Sequence, residues 1–236
     1  MAGTLYLIPV TLGDAPVHHV IPSYVLELIE HLDHFIVEDL RSARRYLKRA
    51  GRSGSIDDLS FYLLNEHTDE ESVEALLAVM ADGHDAGLLS EAGVPAVADP
   101  GSGLVALAHR HGIRVVPLAG PSSILMALMA SGMNGQSFRF HGYLPVKKQP
   151  RLESLRKIEK AAVGTGETQI FMETPYRNMS LLQDIVGICR DQTLLCIAAD
   201  ISLRSEYIRT LTIREWKQKL PDIHKRPAVF LISAQP

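Results

Sequence analysis

The chain is short of the features that would mark a disulfide scaffold, a membrane span or a bulk polyanion binder. Only two cysteines, Cys189 and Cys196, occur in 236 residues. They are not spaced as Cys-x-x-Cys and lie in apolar surroundings, so buried reduced thiols are expected rather than redox or metal chemistry. No charge dominates: 24 Lys and Arg against 27 Asp and Glu give a formal net charge of −3. That excludes wholesale polyanion binding and confines any nucleic-acid contact to a local patch. No apolar run is long enough for a bilayer, because the stretch from Ile113 to Met133 is broken by Arg114, Pro117, Gly120 and Pro121. The first residues, Met1 to Leu7, lack the basic lead and apolar stretch of a signal peptide, so a cytoplasmic location is expected. With 46% hydrophobic and 22% charged residues, a disordered tail or a fibre is also excluded.

Several chemical signatures are missing as well. There is no GxxxxGK[ST] phosphate loop, and Gly120-Pro121-Ser122-Ser123-Ile124 fails the GxSxG nucleophile elbow at its last position. Gly101-Ser102-Gly103-Leu104-Val105-Ala106 satisfies GxGxxA, yet no acidic residue follows about 20 positions on to hold a ribose, so a dinucleotide site is not expected. His18-His19 and His109-x-His111 lack helix-ligand spacing and a third partner, so no metal site is expected.

What is present is a regular alternation of short apolar runs with helical patterns, which predicts an α/β protein with parallel sheets covered by helices. Strands are predicted at Thr4–Pro9, His34–Glu38, Phe61–Leu64, Ala86–Ser90 and Arg114–Pro117, then at Phe138–Tyr143, Gln169–Met172, Leu194–Ala198, Tyr207–Thr212 and Val229–Ser233. Helices are predicted at Ser23–Leu32, Ser42–Ala50, Glu70–Ala81, Gly103–His111, after Gly120-Pro121-Ser122-Ser123, and at Leu152–Ala162 and Arg177–Ile188. About ten strands are near the upper limit for one open twisted sheet, so two α/β domains are expected, 1–118 and 119–236.

Ligands of open α/β sheets sit outside the carboxyl ends of strands, which directs attention to four turns. The first is Pro9 to Asp14. The second, Ser90 to Gly103, carries three glycines and two prolines and suits close approach of bare backbone to a ligand, or else a long structural turn. The third, Leu118 to Ser123, leads into a helix whose free N–H groups and serine hydroxyls suit a polar ligand, or a plain serine cap. The fourth, Phe171 to Arg177, sets Glu173, Pro175 and Arg177 just past a strand. Elsewhere Arg41, Arg44, Arg45, Lys48, Arg49 and Arg52 fall at steps of three and four, opposite Ala43, Tyr46, Leu47 and Ala50. This Arg41–Arg52 basic face is either a solvated surface or a phosphate-tracking one. A second basic cluster, Lys147 to Lys160, is diluted by Glu153 and Glu159.

Taken together, the turns resemble the tetrapyrrole methylase superfamily of S-adenosylmethionine-dependent methyltransferases, most of all its ribosomal small-subunit RNA cytidine 2′-O-methylating group. The resemblance runs from Leu5-Tyr6-Leu7-Ile8-Pro9 through Ser90-Glu91-Ala92-Gly93-Val94-Pro95 and Asp99-Pro100-Gly101. It continues over Gly120-Pro121-Ser122, Ser131-Gly132 and Gly142-Tyr143-Leu144-Pro145 to Glu173-Thr174-Pro175-Tyr176-Arg177. It implies two α/β domains with S-adenosylmethionine in a cleft between them, and a homodimer. On that reading Pro9 ends the first strand beside the cofactor. Ser90, Glu91, Gly93, Val94 and Pro95 wrap its methionine and ribose portions. Ser122 and Ser123 add hydroxyl or backbone contacts, Met172 lines the adenine pocket, and the segment at Asp200 closes it. RNA would meet the Arg41–Arg52 face.

A ribose hydroxyl acceptor needs its proton removed. Glu173 is the candidate catalytic base, or the ion-pair partner of Arg177; Asp14 and Glu38 are alternatives. The chain departs from the RNA-methylating group at Gly13-Asp14, Glu91, Val94, Leu40 and Thr174-Pro175-Tyr176, and that group's small extra C-terminal domain does not follow within the sequence through Pro236. These departures leave open a small-molecule acceptor such as a tetrapyrrole, or a cofactor-binding protein without turnover.

Overall fold

The computed structural model describes residues 2–65, 68 and 70–234. Backbone contacts divide the chain into two compact units, Met1–Ser122 and Ser123–Pro236.

The first unit contains β1 (Thr4–Ile8), α1 (Ser23–His31), β2 (His34–Val37), α2 (Leu40–Arg49), β3 (Ser60–Leu63), α3 (Glu70–Ala81), β4 (Ala86–Leu89), α4 (Ser102–Arg110) and β5 (Arg114–Pro117). The strands pair in the order β3-β2-β4-β1-β5, all parallel. Both faces are covered, so the strands read as continuous apolar runs; every residue of β4 is buried. Side-chain alternation along β2 sends Phe35 and Val37 into one core with Val25, Ile29 and Leu47 of α1 and α2. Ile36 goes to the opposite core, with Leu76, Met80 and Leu104 of α3 and α4. The chain leaves β1 toward β2 on one side and leaves β4 toward β5 on the other. The neighbouring strands β1 and β4 therefore form the switch point of the sheet, where a crevice opens beyond their carboxyl ends.

Helix α2 begins at Asp39, whose Oδ1 accepts from the Ser42 amide at 2.7 Å and so satisfies one of the free donors of the first turn. It buries Ala43, Tyr46 and Leu47, the apolar face expected from the spacing.

The second unit contains α5 (Ser123–Ser131), β6 (Phe138–Tyr143), α6 (Lys148–Thr165), β7 (Thr168–Glu173), α7 (Asn178–Ile188), β8 (Leu194–Ala199), β9 (Tyr207–Thr212), α8 (Ile213–Trp216) and β10 (Ala228–Ser233). Its order is β6-β7-β10-β8-β9. Here the expectation of a parallel sheet is corrected: only β6 and β7 run parallel, and the other three pairings are antiparallel. For β8 and β9 the cause is loop length: residues 200–206 alone join them, too few for the crossover of a dozen or more residues that parallel neighbours require.

Helix α6 starts four residues earlier than the spacing predicts, because Pro150 falls in the first turn, where its missing N–H costs nothing. It ends at Gly166, whose φ of 71° is left-handed. The short helix α8 was not anticipated, although Thr212 and Glu215 form a reciprocal capping box that the sequence displays as Thr-x-x-Glu.

Two buried polar groups fasten this unit. Arg151 donates to Asp184 Oδ2 from Nε and Nη2 at 2.8 and 2.6 Å, joining α6 to α7. Glu159 Oε1 accepts from the Arg190 amide at 2.7 Å and the Thr193 hydroxyl at 2.5 Å, holding the turn before β8. Both cysteines are buried free thiols, and burial, with Glu159 nearby, pushes Cys189 up to about 12. Among the described residues no helix is long and apolar enough to cross a membrane.

Candidate functional site

Three of the four turns singled out in the sequence meet at the carboxyl edge of the first sheet. After β1, Val10 pairs with Gly93 of the turn after β4 as an antiparallel bridge, with N···O distances of 2.8 and 3.2 Å. Gly93 has φ +78°, a conformation disfavoured for a residue with a side chain, and a Cβ there would lie 3.2 Å from Leu12 and 3.4 Å from the Pro121 carbonyl. After β5, Leu118 N–H donates to the Leu7 carbonyl at 3.1 Å and Ala119 N–H to the Tyr24 hydroxyl at 3.0 Å. Gly120 then lies directly against Pro9: a Cβ would stand 2.1 Å from Pro9 Cβ and 2.4 Å from its Cγ.

The turn after β4 is held in an unusual path. Ala96 and Ala98 adopt φ of 64° and 62°, alongside Gly93 and Gly101 at 78° and 123°. Such conformations each carry strain and persist only where the surroundings over-determine them. The buried Ser90 hydroxyl donates to the Ala92 carbonyl at 3.4 Å within this turn. Burial is the largest influence on Asp99 and raises its pKa above the ordinary carboxylate range, with Glu91 adding to the rise against the Ser90 hydroxyl, which lowers it. The folded state then holds the proton more tightly than the unfolded chain. Asp99 therefore favours the fold below the ordinary carboxylate pKa, and this contribution is lost as pH rises through the raised value. Asp99→Asn is expected to flatten the decline of the melting temperature as pH rises above the ordinary carboxylate pKa of about 4; an unchanged profile would count against the raised pKa.

Pro9 is gripped from the other side too. The buried Tyr46 hydroxyl donates to the Pro9 carbonyl at 2.9 Å, and burial raises its pKa, which keeps it a neutral donor. Residue spacing puts Tyr46 on the core face of α2 but carries no sign of this bond, because nothing local pairs positions 9 and 46. Tyr46→Phe leaves that carbonyl unsatisfied and is expected to cost about 1–2 kcal/mol in urea unfolding.

A cleft of about 420 Å³ opens at the switch point, lined by residues 10–14, by Ser42, Arg45, Tyr46 and Arg49 of α2, and by Ser90, Glu91 and Ala92. That volume lies within the range of small-molecule sites. The Glu91 amide donates to Glu38 at 3.4 Å.

The Arg41–Arg52 face is narrower than its spacing suggests. Arg44 pairs with Asp57 at 2.8 Å and lies over the Phe61 ring. Arg49 donates to the Ala15 carbonyl and lies 3.4 Å from Asp14. Arg52 bonds the Ile29 carbonyl and Asp33. With these three partnered within the first unit, Arg41, Arg45 and Lys48, all exposed, are the cations of the expected Arg41–Arg52 face that lack an ion pair among the described residues.

The remaining expected site residues lie in or at the start of the second unit. Ser122 immediately precedes α5 and Ser123 is its first residue. Met172 and Glu173 end β7, and Asp200 follows β8; Ala228 of β10 pairs with both Glu173 and Ala199, which puts these groups at one end of the sheet. Asp200, at φ 50°, accepts from Arg226 Nε and the Ser205 hydroxyl, both at 2.8 Å. Arg226, which belongs to no motif, thus ties the β8–β9 turn to the start of β10. Glu173 is buried, and its Oε1 accepts from the Thr174 amide and from Arg177 Nε and Nη2 at 2.7, 2.9 and 2.6 Å. Its Oε2 is buried without a partner, as is Asn178 Oδ1.

Within the first unit, the switch-point cleft has the volume and the mixed hydroxyl and acidic lining, with Thr11, Asp14, Ser90 and Glu91, that suit a sulfonium-bearing nucleoside such as S-adenosylmethionine.

Comparison with known proteins agrees with this chemistry. Residues 4–217 match the family described as Tetrapyrrole (Corrin/Porphyrin) Methylases. The chain is 31% identical over 233 residues to Ribosomal RNA small subunit methyltransferase I of Escherichia coli O157:H7, covering 98% of this chain and 77% of that protein. It is 35% identical over 210 residues to the protein of the same name from Mesorhizobium japonicum, covering 89% and 67%. The crystal structure of the methyltransferase CobJ shares the fold, with a TM-score of 0.65 over 99% of this chain and 95% of that one at 16% identity. The chain belongs to the tetrapyrrole methylase family of S-adenosylmethionine-dependent methyltransferases.

Proposed function

We propose that the chain methylates small-subunit ribosomal RNA at a ribose 2′-hydroxyl, in the cytoplasm and as a homodimer. The observation that carries this reading is the meeting of the β1, β4 and β5 turns at the switch point, in a chain whose relatives bear a ribosomal RNA methyltransferase name over most of its length. The RNA substrate supports the cytoplasmic location. The exposed Met129 of α5, with Phe138 and Tyr143 on edge strand β6, supports pairing of two copies, which light scattering on the purified protein would measure.

On this reading Pro9, Ser90, Glu91, Gly93, Val94, Pro95, Ser122, Ser123, Met172 and Asp200 are the cofactor-binding residues. When bound, S-adenosylmethionine supplies an electrophilic methyl group whose transfer discharges a sulfonium. The protein's part is chiefly to align the acceptor and exclude water. Glu173 is the base. Because Arg177 and the Thr174 amide occupy Oε1, the proton would be received at Oε2.

Glu173→Gln is expected to lower the methyl-transfer rate by about 10²–10⁴-fold while S-adenosylhomocysteine still binds. A normal rate from a less stable protein would leave Glu173 as the ion-pair partner of Arg177 alone. The reading as a whole is tested by incubating the protein and tritiated cofactor with small-subunit RNA and, separately, with a metabolite extract. Label in RNA ribose is expected. Label only in metabolites would favour a corrin- or porphyrin-like acceptor, in keeping with the family description.

A further inference from the structure

The three α2 cations that the fold does not use form a pattern. Arg41, Arg45 and Lys48 stand at i, i+4 and i+7, so they make one row along the outer face of the helix. From Arg41 to Lys48 the helix rises about 10 Å, which spaces the charges about 5 Å apart. Arg45 is at once the middle of this row and part of the wall of the switch-point cleft.

The cleft is polarised. On the α2 side it presents Arg45 and Arg49, the latter held by Ala15 and Asp14. The turns after β1 and β4 complete the lining with Thr11, Ser90 and Glu91. The α2 cations suit the anionic phosphate of a nucleotide, while Ser90 and Glu91 stay with the cofactor.

We propose that α2 forms a track for single-stranded RNA past this cleft, with successive phosphates on Arg41, Arg45 and Lys48 and the ribose of the nucleotide at Arg45 turned to the mouth of the cleft. The proposal rests on the RNA reading above and adds the strand state, the path and the orientation of the acceptor. Single strands follow from the walls: the β1 turn, α2 and the β4 turn enclose the cleft on three sides, and a nucleotide must leave its helical stack to turn its ribose to the mouth of such a site. The row carries no aromatic side chain on which bases would stack, so binding is led by phosphates and depends steeply on salt.

The test uses the full chain with a labelled single-stranded fragment of small-subunit RNA and the same fragment as a duplex, measuring affinity across salt concentrations. We expect at least about tenfold preference for the single strand and a log–log salt slope near −2, at about −0.7 per phosphate neutralised. The double substitution Arg41→Gln, Lys48→Gln, at positions outside the cleft wall, should reduce the slope by about 1.4. It should also raise KM for RNA more than it lowers kcat, while S-adenosylhomocysteine binding stays normal. The pair Lys157→Gln, Lys160→Gln on α6 serves as the rival surface and should leave the slope unchanged. If the wild type binds RNA but the α2 pair keeps its slope, or duplex is preferred, the track is wrong and the RNA reading stands. If the wild type binds the cofactor product yet no RNA, both fall.

Discussion

Arg151→Ala is expected to destabilise the second unit by about 3–5 kcal/mol, the cost of stranding a buried charge. The Arg151 and Asp184 side chains are only 5% and 8% exposed. The guanidinium also donates to the Val146 carbonyl at 3.0 Å and to the Ser180 hydroxyl at 3.1 Å, so its donors are well used. Arg151→Lys should recover little, because an ammonium cannot reproduce the planar fork that reaches Asp184, Val146 and Ser180 together. Replacing both members of the pair, Arg151→Met with Asp184→Leu, should return most of the lost stability, since no unpaired ion then remains. Urea unfolding followed by circular dichroism measures all four proteins. A loss below about 1 kcal/mol for Arg151→Ala would mean that water reaches Asp184 and the pair behaves as a surface bridge.

Gly120→Ala carries the second large effect. The added Cβ would sit inside Pro9, so either β1 or the turn after β5 must move. Overpacking of this kind costs about 1–3 kcal/mol. If the displacement falls on the cofactor turns, S-adenosylhomocysteine binding should weaken by up to about 100-fold, since each 1.4 kcal/mol is a factor of ten. Pro9→Gly removes both ring atoms that the new methyl would strike. The double variant Pro9→Gly, Gly120→Ala should therefore bind better than the Gly120→Ala single variant, a coupling that a double-mutant cycle by titration calorimetry isolates. Binding by Gly120→Ala within threefold of wild type would show that the cofactor does not depend on this contact.

Much of the architecture was legible in residue spacing, and the parts that were not share a cause. The short apolar runs at Thr4 to Ile8 and Ala86 to Leu89 and the apolar steps of α2 and α7 are local signals, and the elements form there. Strand direction in the second sheet is not local. It depends on which partner β10 finds, and for β8 and β9 the clue lay in the brevity of the 200–206 connection rather than in any strand. The same holds for side chains. The Arg44, Arg49 and Arg52 positions promised solvent-facing charge, yet each finds a partner from a distant segment at Asp57, Asp14 or Asp33. Arg151 and Glu159 belonged by pattern to a charged helix surface and are buried because α7 and the turn before β8 supply matching groups. At the site, the turns could be recognised from glycine and proline content, whereas the contacts that fix them, Tyr46 on Pro9 and Pro9 on Gly120, join residues 37 and 111 positions apart.

The central place of β10 has a consequence for synthesis. This strand is wholly buried and is the last of its sheet to be translated, yet it separates the β6-β7 ribbon from the β8-β9 hairpin. Until residues 228–233 leave the ribosomal tunnel, the nascent second unit holds two half-sheets with bare inner edges, while the first unit can already have closed. Newly made chains are thus exposed to mispairing at those edges during a defined interval, and translational pausing shortly before Ala228 would lengthen it.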